Sequence, residues 1–473
     1  MNKAKIIKLS TLKEEATLRE AMKTIEKGTI GHAFVVDKKN RLVGILTDGD
    51  IRRALLKKYE ISDKVTIVMN KKFTFMKEGD SVEKTLLKLS EMIRVIPIIN
   101  KKGEVIDFIK YDRNIRIPIV SPNIKGNEFK YLTDAFLSTW ISSTGEYINK
   151  FEKEFANFVD CKYGVAVSNG TAALHLAMVA LGIGQGDEVI VPDFTFAASA
   201  NAVLHTGARP VLVDIEKDFW TIDPKEIKKA ITKRTKAIMP VHIYGQPCNM
   251  DEINKIAKEN NLLVIEDAAE AHGARFDNKK VGSLGEVGCF SFFANKVITT
   301  GEGGMCVTNS EELYHKMRLL RDHGMSKEKK YWHDEVGFNY RMTNLQAAIG
   351  CAQLEKIEAI LKQRVELENK YRNSFEKISH INFQTIDPRR QKITWLVSVL
   401  AKEGERDLHL KNLMESNVDV RPFFYSLGSM PLYKEYLFSN KNSLDVSRRG
   451  INLPTHQNVG SFEINKIKNI LNI

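Results

Sequence analysis

Gly164-Val-Ala-Val-Ser168-Asn-Gly170-Thr171-Ala-Ala-Leu174 reads as a strand, a glycine turn and the start of a helix. The apolar run is the length of a buried strand, and Gly170 permits close backbone approach where the chain turns into a helix expected over 172–180. The same unit recurs downstream. Strand-like runs begin at Glu188, Pro210, Ala237 and Leu262, and helical stretches over 224–231 and 250–260 lie between them. Such alternation predicts an α/β domain with a mostly parallel sheet. Longer helical patterns follow over 342–375. From about residue 380 the chain has its own short strands and helices, expected to form a smaller C-terminal lobe.

Upstream of that region lies a weak duplication. Ala33-Phe-Val-Val-Asp37-Lys-Lys-Asn40-Arg-Leu-Val-Gly44-Ile-Leu-Thr47-Asp-Gly-Asp50 is echoed by Ile96-Pro-Ile-Ile-Asn100-Lys-Lys-Gly103-Glu-Val-Ile-Asp-Phe-Ile-Lys110-Tyr-Asp112. Each copy is a strand, a polar turn and a second strand. Each follows an amphipathic helix, with Leu18, Ala21, Met22 and Ile25 facing the core in the first, and Val82, Leu86, Leu87 and Leu89 in the second. Prolines in Arg116-Ile-Pro-Ile-Val-Ser-Pro mark a boundary. Three regions are therefore expected: 1–115, 116–375 and 376–473.

Composition narrows the function class. The chain has 473 residues, a net charge of +12, 43% hydrophobic and 27% charged residues. Its basic residues are interleaved with acidic ones, and no compact basic stripe carries aromatics, so nucleic acid is not an expected partner. Anionic small substrates suit mild basicity. The cysteines at 161, 248, 289, 306 and 351 are widely spaced and odd in number. That argues against a disulfide framework, a zinc ribbon or an iron–sulfur cluster, and for a reducing cytoplasm; no metal is expected. Neither a signal peptide nor a membrane span of ~18 apolar residues is read in the chain.

The chemistry centres on Ser291-Phe-Phe-Ala-Asn-Lys296-Val-Ile-Thr-Thr-Gly301-Glu-Gly-Gly304 and on Ile265-Glu-Asp267-Ala-Ala-Glu270-Ala-His-Gly273. A lysine between apolar neighbours, beside a glycine turn, with an aspartate ending an earlier strand, fits a lysine that condenses with an aldehyde. The natural aldehyde is pyridoxal 5'-phosphate (PLP), its ring nitrogen kept protonated by Asp267. Glu270 is placed to reach the ring's 3-hydroxyl, whereas Glu266 can serve simply as an acid near a helix N-terminus. Ser291 and the helix start at Gly170, Thr171 and Ala172 suit the phosphate; a plain helix cap by Asn169 or Thr171 reads equally well there. In Phe194-Thr-Phe196, Phe194 reads as a core aromatic and Phe196 as one that stacks on a flat heterocycle.

These motifs, in this order, resemble the fold-type I PLP aminotransferases of the DegT/DnrJ/EryC1/StrS family, over roughly 117–473. Further matches are Trp140-Ile-Ser-Ser-Thr-Gly-Glu-Tyr147, Val241-His-Ile-Tyr-Gly245 and Trp332-His333-Asp-Glu-Val-Gly-Phe-Asn339-Tyr-Arg341-Met-Thr-Asn-Leu-Gln-Ala-Ala348. The last is most like the perosamine-type 4-aminotransferases, which also have glutamate at the Glu270 position. The resemblance implies a large α/β domain plus a small C-terminal lobe. It makes Lys296 the cofactor-bearing lysine and proton shuttle, Asp267 the partner of the ring nitrogen, and Phe196 the stacking aromatic. It assigns phosphate to Gly170, Thr171, Ala172 and Ser291. Asn339 would reach the cofactor of a neighbouring subunit, so a homodimer with shared sites is implied. His333 and Arg341 would approach a nucleotide-linked keto-sugar, GDP- or UDP-linked, with L-glutamate as amino donor. A lysine rather than a histidine at 296 favours amination over the dehydration some members perform, and intact catalytic positions disfavour a nucleotide sensor on a dead scaffold. Many members have histidine at the Gly428 position, so sugar contacts there are not carried over.

The duplication resembles a pair of CBS (cystathionine-β-synthase-type) motifs, an α+β module that can bind adenine nucleotides. Thr47 and Asp50 match its phosphate- and ribose-contacting positions; Lys110 and Arg113 stand there in the second copy. A docking module that joins subunits into a higher oligomer, without ligand, is the other reading.

Overall fold

The computed structural model describes residues 3–28, 30–80, 93–110, 117–326 and 328–472. The chain divides into two compact units, Met1–Ile115 and Arg116–Ile473.

In the first unit the two copies have the same topology. Thr11–Lys13 runs parallel to His32–Val36, which pairs antiparallel with Leu42–Thr47. Met76–Lys77 runs parallel to Val95–Ile99, which pairs antiparallel with Val105–Lys110. Both hairpins turn the same way. Asp37 Oδ1 accepts from the amides of Lys39 and Arg41 at 2.8 and 2.9 Å, and Asn100 Oδ1 from those of Lys102 and Glu104 at 2.8 and 3.0 Å. An Asp or Asn that bonds the backbone two residues on is what sets such a turn. Phe34, Ile45, Val95 and Phe108 form a core shared by both copies. In the helix Leu18–Gly28, Leu18, Ala21 and Ile25 are buried as expected, whereas Met22 turns outward. The expected second helix, with Val82, Leu86, Leu87 and Leu89, lies outside the described residues, as does Arg113.

The second unit is built on a seven-stranded sheet in the order Tyr163–Val167, Gly304–Thr308, Val287–Ser291, Leu263–Asp267, Thr235–Ile238, Glu188–Pro192, Arg209–Val213. Only Gly304–Thr308 runs against the rest. The strands are almost wholly buried, as parallel strands covered on both faces must be. On one face lies the helix Gly170–Ala180, in a core with Val165, Val189 and Ile265. On the other, Phe151, Phe155, Phe290 and Phe292 pack ring against ring, centroids 5.0 to 6.0 Å apart. The pattern over 342–375 resolves into two helices, Asn344–Leu354 and Ile357–Phe375. The first opens with a capping box between Thr343 and Gln346.

The C-terminal lobe has a four-stranded antiparallel sheet, Asn382–Phe383, Val397–Leu400, Gly450–Leu453 and Arg421–Pro422. The helices Arg406–Glu415, Lys441–Arg449 and Ser461–Leu471 belong to the same lobe. The last half of Ile357–Phe375 joins its core through Leu367, Tyr371 and Phe375. Two carboxylates from strand ends of the large sheet tie it down. Asp193 accepts from Ser426 Oγ and from the Gly428 amide, and Asp214 from the amides of Asn442 and Ser443. Among the described residues no helix is long and apolar enough to cross a membrane.

Candidate active site

The C-terminal ends of parallel strands are where open α/β sheets bind ligands. Asp267 and Ser291 end two neighbouring strands of this sheet, and Asn169 and Gly170 follow a third. Between them opens a cavity of about 330 Å³, lined by Gly170, Thr171, Phe196, Asp267, Glu270, Ser291 and Lys296 among others.

At the helix start, Asn169 Oδ1 accepts the Ala172 amide at 2.8 Å. The cap expected of Asn169 is therefore present, and it occupies the Ala172 amide. Gly170 and Thr171 hold the first two positions of the helix, whose amides have no intrahelical acceptor. A Cβ on Gly170 would lie 2.8 Å from Ser291 Cβ. Only glycine lets the helix start and the Ser291 hydroxyl close on one small volume.

Asp267 is held by a relay the sequence does not reveal. Ser199 Oγ donates to its Oδ2 at 2.7 Å, and Thr195 Oγ1 stands 2.9 Å from Ser199 Oγ. Burial pushes the Asp267 carboxyl above its ordinary range, against the Ser199 hydrogen bond and the nearby Lys296 charge. Glu266, next along the strand, is structural. It accepts from the amides of Gly282, Leu284 and Gly285 at 2.6 to 2.8 Å and faces His242 Nε2 at 3.0 Å. Successive strand residues point to opposite faces, which sends Asp267 to the cavity and Glu266 away from it.

Lys296 follows the strand Val287–Ser291, in a loop that folds back through the Phe292 amide to the Gly303 carbonyl at 2.8 Å. Its Nζ lies 3.5 Å from Glu270 Oε1 and 3.9 Å from the centroid of the Trp395 ring. Glu270 Oε2 accepts the Tyr244 amide at 2.9 Å. Burial raises the Glu270 carboxyl to about 7, with the Lys296 charge pulling the other way. Tyr244 is fully buried at φ 52, an uncommon conformation for an aromatic, in the Val241-His-Ile-Tyr-Gly245 turn. That turn aims its amide at Glu270 while its ring stacks on Trp395. The Trp395 indole is fixed by donating to the Asn295 carbonyl at 2.8 Å.

Phe194 is a core residue, packed on Tyr244 and Phe423. Phe196 is 57% exposed at the cavity, with Phe424 5.5 Å from its ring. Asn339, His333 and Arg341 are not among the cavity's lining residues. Arg341 is paired with Asp322 at 2.7 Å and donates to Asn339 Oδ1 at 3.0 Å, and His333 Nδ1 lies 2.9 Å from the His323 carbonyl. Asn339 and His333 are exposed. Ser199 and Trp395 were not singled out from the sequence, and Tyr244 was read only as part of the Val241–Gly245 match. A serine one helical turn after Thr195 was the only hint of the relay.

Residues 122–472 match the profile of the DegT/DnrJ/EryC1/StrS aminotransferase family. The chain belongs to this family. It is 46% identical over 360 residues to a GDP-perosamine synthase of Caulobacter vibrioides, covering 74% of this chain and 96% of that one. It is 43% identical over 349 residues to the GDP-perosamine synthase of Escherichia coli O157:H7, covering 74% and 95%. Among solved structures, Spr1654 of Streptococcus pneumoniae in its PLP form is 27% identical, with a TM-score of 0.71 over 75% of this chain and 98% of that one. A CBS domain profile matches residues 2–57. The protein is thus a PLP-dependent aminotransferase of fold-type I with an N-terminal CBS domain. The cavity fits the cofactor: a lysine, a buried carboxylate held by Ser199 for a ring nitrogen, and a glycine-lined helix start beside Ser291 for a phosphate.

In that CBS domain, Thr47 and Asp50 form the capping box of the helix Asp48–Leu56. Thr47 Oγ1 donates to Asp50 Oδ2 at 2.7 Å, and the Asp50 amide to Thr47 Oγ1 at 3.1 Å. Asp50 Oδ1 is paired with Arg53 at 2.7 Å.

Proposed function

We propose that the protein transfers the amino group of L-glutamate to C4 of a nucleotide-linked 4-keto-6-deoxyhexose, namely GDP-4-keto-6-deoxy-D-mannose, making GDP-perosamine. The observation that carries this reading is the 43–46% identity to GDP-perosamine synthases along nearly their whole length. The product suits surface polysaccharide such as O-antigen. The five cysteines, buried and free, suit a cytoplasmic enzyme.

PLP, when bound, supplies an electron sink that carries the amino group between donor and acceptor. Lys296 would anchor it, and its free Nζ would move a proton. Asp267, oriented by Ser199, would pair with the ring nitrogen and keep it protonated. The amides of Gly170 and Thr171, with Ser291 Oγ, would hold the phosphate; the Ala172 amide, taken by Asn169, would add only to the helix dipole. Phe196, at the cavity wall, would cover a ring face. Glu270, anchored by the Tyr244 amide, receives the Lys296 ammonium.

Asn339, His333 and Arg341 lie outside the cavity of one chain, and we assign them to a site completed by a second copy. Support comes from exposed apolar side chains: Phe129, Phe136, Leu137 and Trp140 are each more than half exposed. Patches of this kind mark interfaces. The repeated hairpins of the first unit we read as a CBS pair, with an adenine nucleotide at Thr47 and Asp50 that tunes activity or assembly. Heat on titrating AMP or ATP into the full chain, lost in Asp50→Ala, supports a ligand; no heat favours a docking module.

The decisive assay is a panel of GDP- and UDP-linked 4-keto-6-deoxyhexoses with glutamate. GDP-linked sugar should be aminated fastest. Lys296→Ala should be colourless and inactive. A UDP-linked sugar turned over faster overturns the substrate reading while leaving the aminotransferase intact.

A further inference from the structure

His380, Glu405 and His409 come together in the C-terminal lobe, and none lines the cavity of Lys296. Glu405 is the N-cap residue of the helix Arg406–Glu415, and His409 lies one turn in, so the two share a helix face. His380 lies between the helix Ile357–Phe375 and the strand Asn382–Phe383. One ligand atom from each of the three lies within 4.8 Å of the other two. Among the described residues this is the group of histidine, cysteine and acidic side chains with metal-binding spacing.

His409 is 3% exposed, yet neither Nδ1 nor Nε2 has a hydrogen-bond partner. A buried imidazole that has lost water without gaining a partner is an unsatisfied group that calls for an explanation. Its nearest carboxylate oxygen, Glu405 Oε2, stands 3.8 Å from Nε2. That is too far for a hydrogen bond. Two bonds of about 2.0–2.2 Å to a shared tetrahedral ion span about 3.4 Å, so an ion there would draw the two groups slightly together. Lys402 Nζ holds the other carboxylate oxygen, Oε1, at 3.1 Å, which fixes how the carboxylate faces. His380 Nε2 lies 2.9 Å from the Leu471 carbonyl. A carbonyl only accepts, so Nε2 carries the proton and Nδ1 keeps a lone pair, which is how metal-binding histidines are commonly oriented.

We propose that His380, Glu405 and His409 bind one divalent transition-metal ion, zinc by preference. Two imidazoles and one carboxylate suit zinc, with water in a fourth position, whereas magnesium and calcium take oxygen ligands. Three protein ligands and a water are otherwise the pattern of catalytic zinc; the site's place outside the Lys296 cavity makes this ion a brace. It joins the turn before Asn382–Phe383 to the start of Arg406–Glu415 and, through His380, to the end of Ser461–Leu471.

The test uses the untagged, cofactor-loaded full chain, stripped of metal and titrated with zinc chloride against a chromophoric chelator. One equivalent should bind, and Glu405→Gln and His380→Ala should each weaken it about 10-fold or more. Zinc should raise the thermal midpoint of the wild type and not of the variants. The variants lie outside the Lys296 cavity and should keep aminotransferase activity. Absence of a bound equivalent in the wild type overturns the proposal. So does zinc binding that both variants leave unchanged.

Discussion

Lys296 Nζ lies over the face of the Trp395 indole, 3.9 Å from the ring centroid. The lysine belongs to the large sheet's loop and the tryptophan to the C-terminal segment, so the contact joins the two. A cation on a desolvated aromatic face is stabilised by about 2 kcal/mol. Free of the cofactor, the ammonium would rest between that face and the Glu270 carboxylate. Trp395→Leu should lower kcat about 10-fold while the visible cofactor band persists. Steady-state rates and an absorbance spectrum check this; an unchanged kcat removes the indole from the proton-transfer step.

Ser199 Oγ donates to Asp267 Oδ2, so its expected effect on the cofactor runs through Asp267. A hydrogen bond to an ionised carboxylate is worth about 1.5–3 kcal/mol. Ser199→Ala leaves the buried Asp267 harder to ionise, so its pairing with the ring nitrogen weakens. The expected result is about 10-fold weaker cofactor retention, read by dialysis and absorbance. Asp267→Asn should lose roughly 100-fold or more in kcat. Equal losses in the two variants would mean that the serine does more than orient the carboxylate.

How much of this was legible in the sequence follows from physical distance along the chain. The strands beginning near Gly164, Glu188, Pro210, Ala237 and Leu262 stand where they were read, because fully buried strands are uninterrupted apolar runs. Val287–Ser291 and Gly304–Thr308 went unread. Val-Gly-Cys-Phe-Ser and Gly-Met-Cys-Val-Thr are diluted by glycine and cysteine and have no alternation. Lys296, Asp267, Ser291 and Gly170, which line one cavity, were legible because each sits at a strand end or a glycine turn, a local signal. Ser199 meets Asp267 across 68 residues, and Trp395 arrives from another lobe; neither leaves a spacing pattern. The internal repeat was visible because the Asp37 and Asn100 turns impose the same residue types at the same offsets.

Glu270 makes stability depend on pH. Burial raises its carboxyl to about 7 in the fold, above an unfolded value near 4.3. The folded state therefore holds the proton more tightly. Its stabilising contribution is complete below about pH 4.3 and is lost as pH rises through about 7. Glu270→Gln, which cannot ionise, should flatten the fall in stability of the cofactor-free protein between pH 5 and 7.5. Urea unfolding at constant ionic strength measures it. An identical slope in the two proteins would place the titration elsewhere.

Gly428 stands where many relatives were expected to have histidine, and the packing here accounts for glycine. Its amide donates to Asp193 Oδ1 at 2.6 Å. A Cβ would lie 2.9 Å from that same oxygen and 2.6 Å from Leu437 Cδ1. Asp193 is fully buried, and burial raises its carboxyl to about 6 despite the hydrogen bonds from Ser426 and Gly428. Any side chain at 428 must push the segment off Asp193, leaving a buried carboxyl short of a donor. Overpacking and a lost donor each cost about 1–3 kcal/mol. Gly428→Ala should therefore destabilise the protein by at least about 1 kcal/mol, and Gly428→His by more, both read by chemical unfolding. If Gly428→His were as stable as wild type, the Asp193 contact would not be what excludes a side chain there.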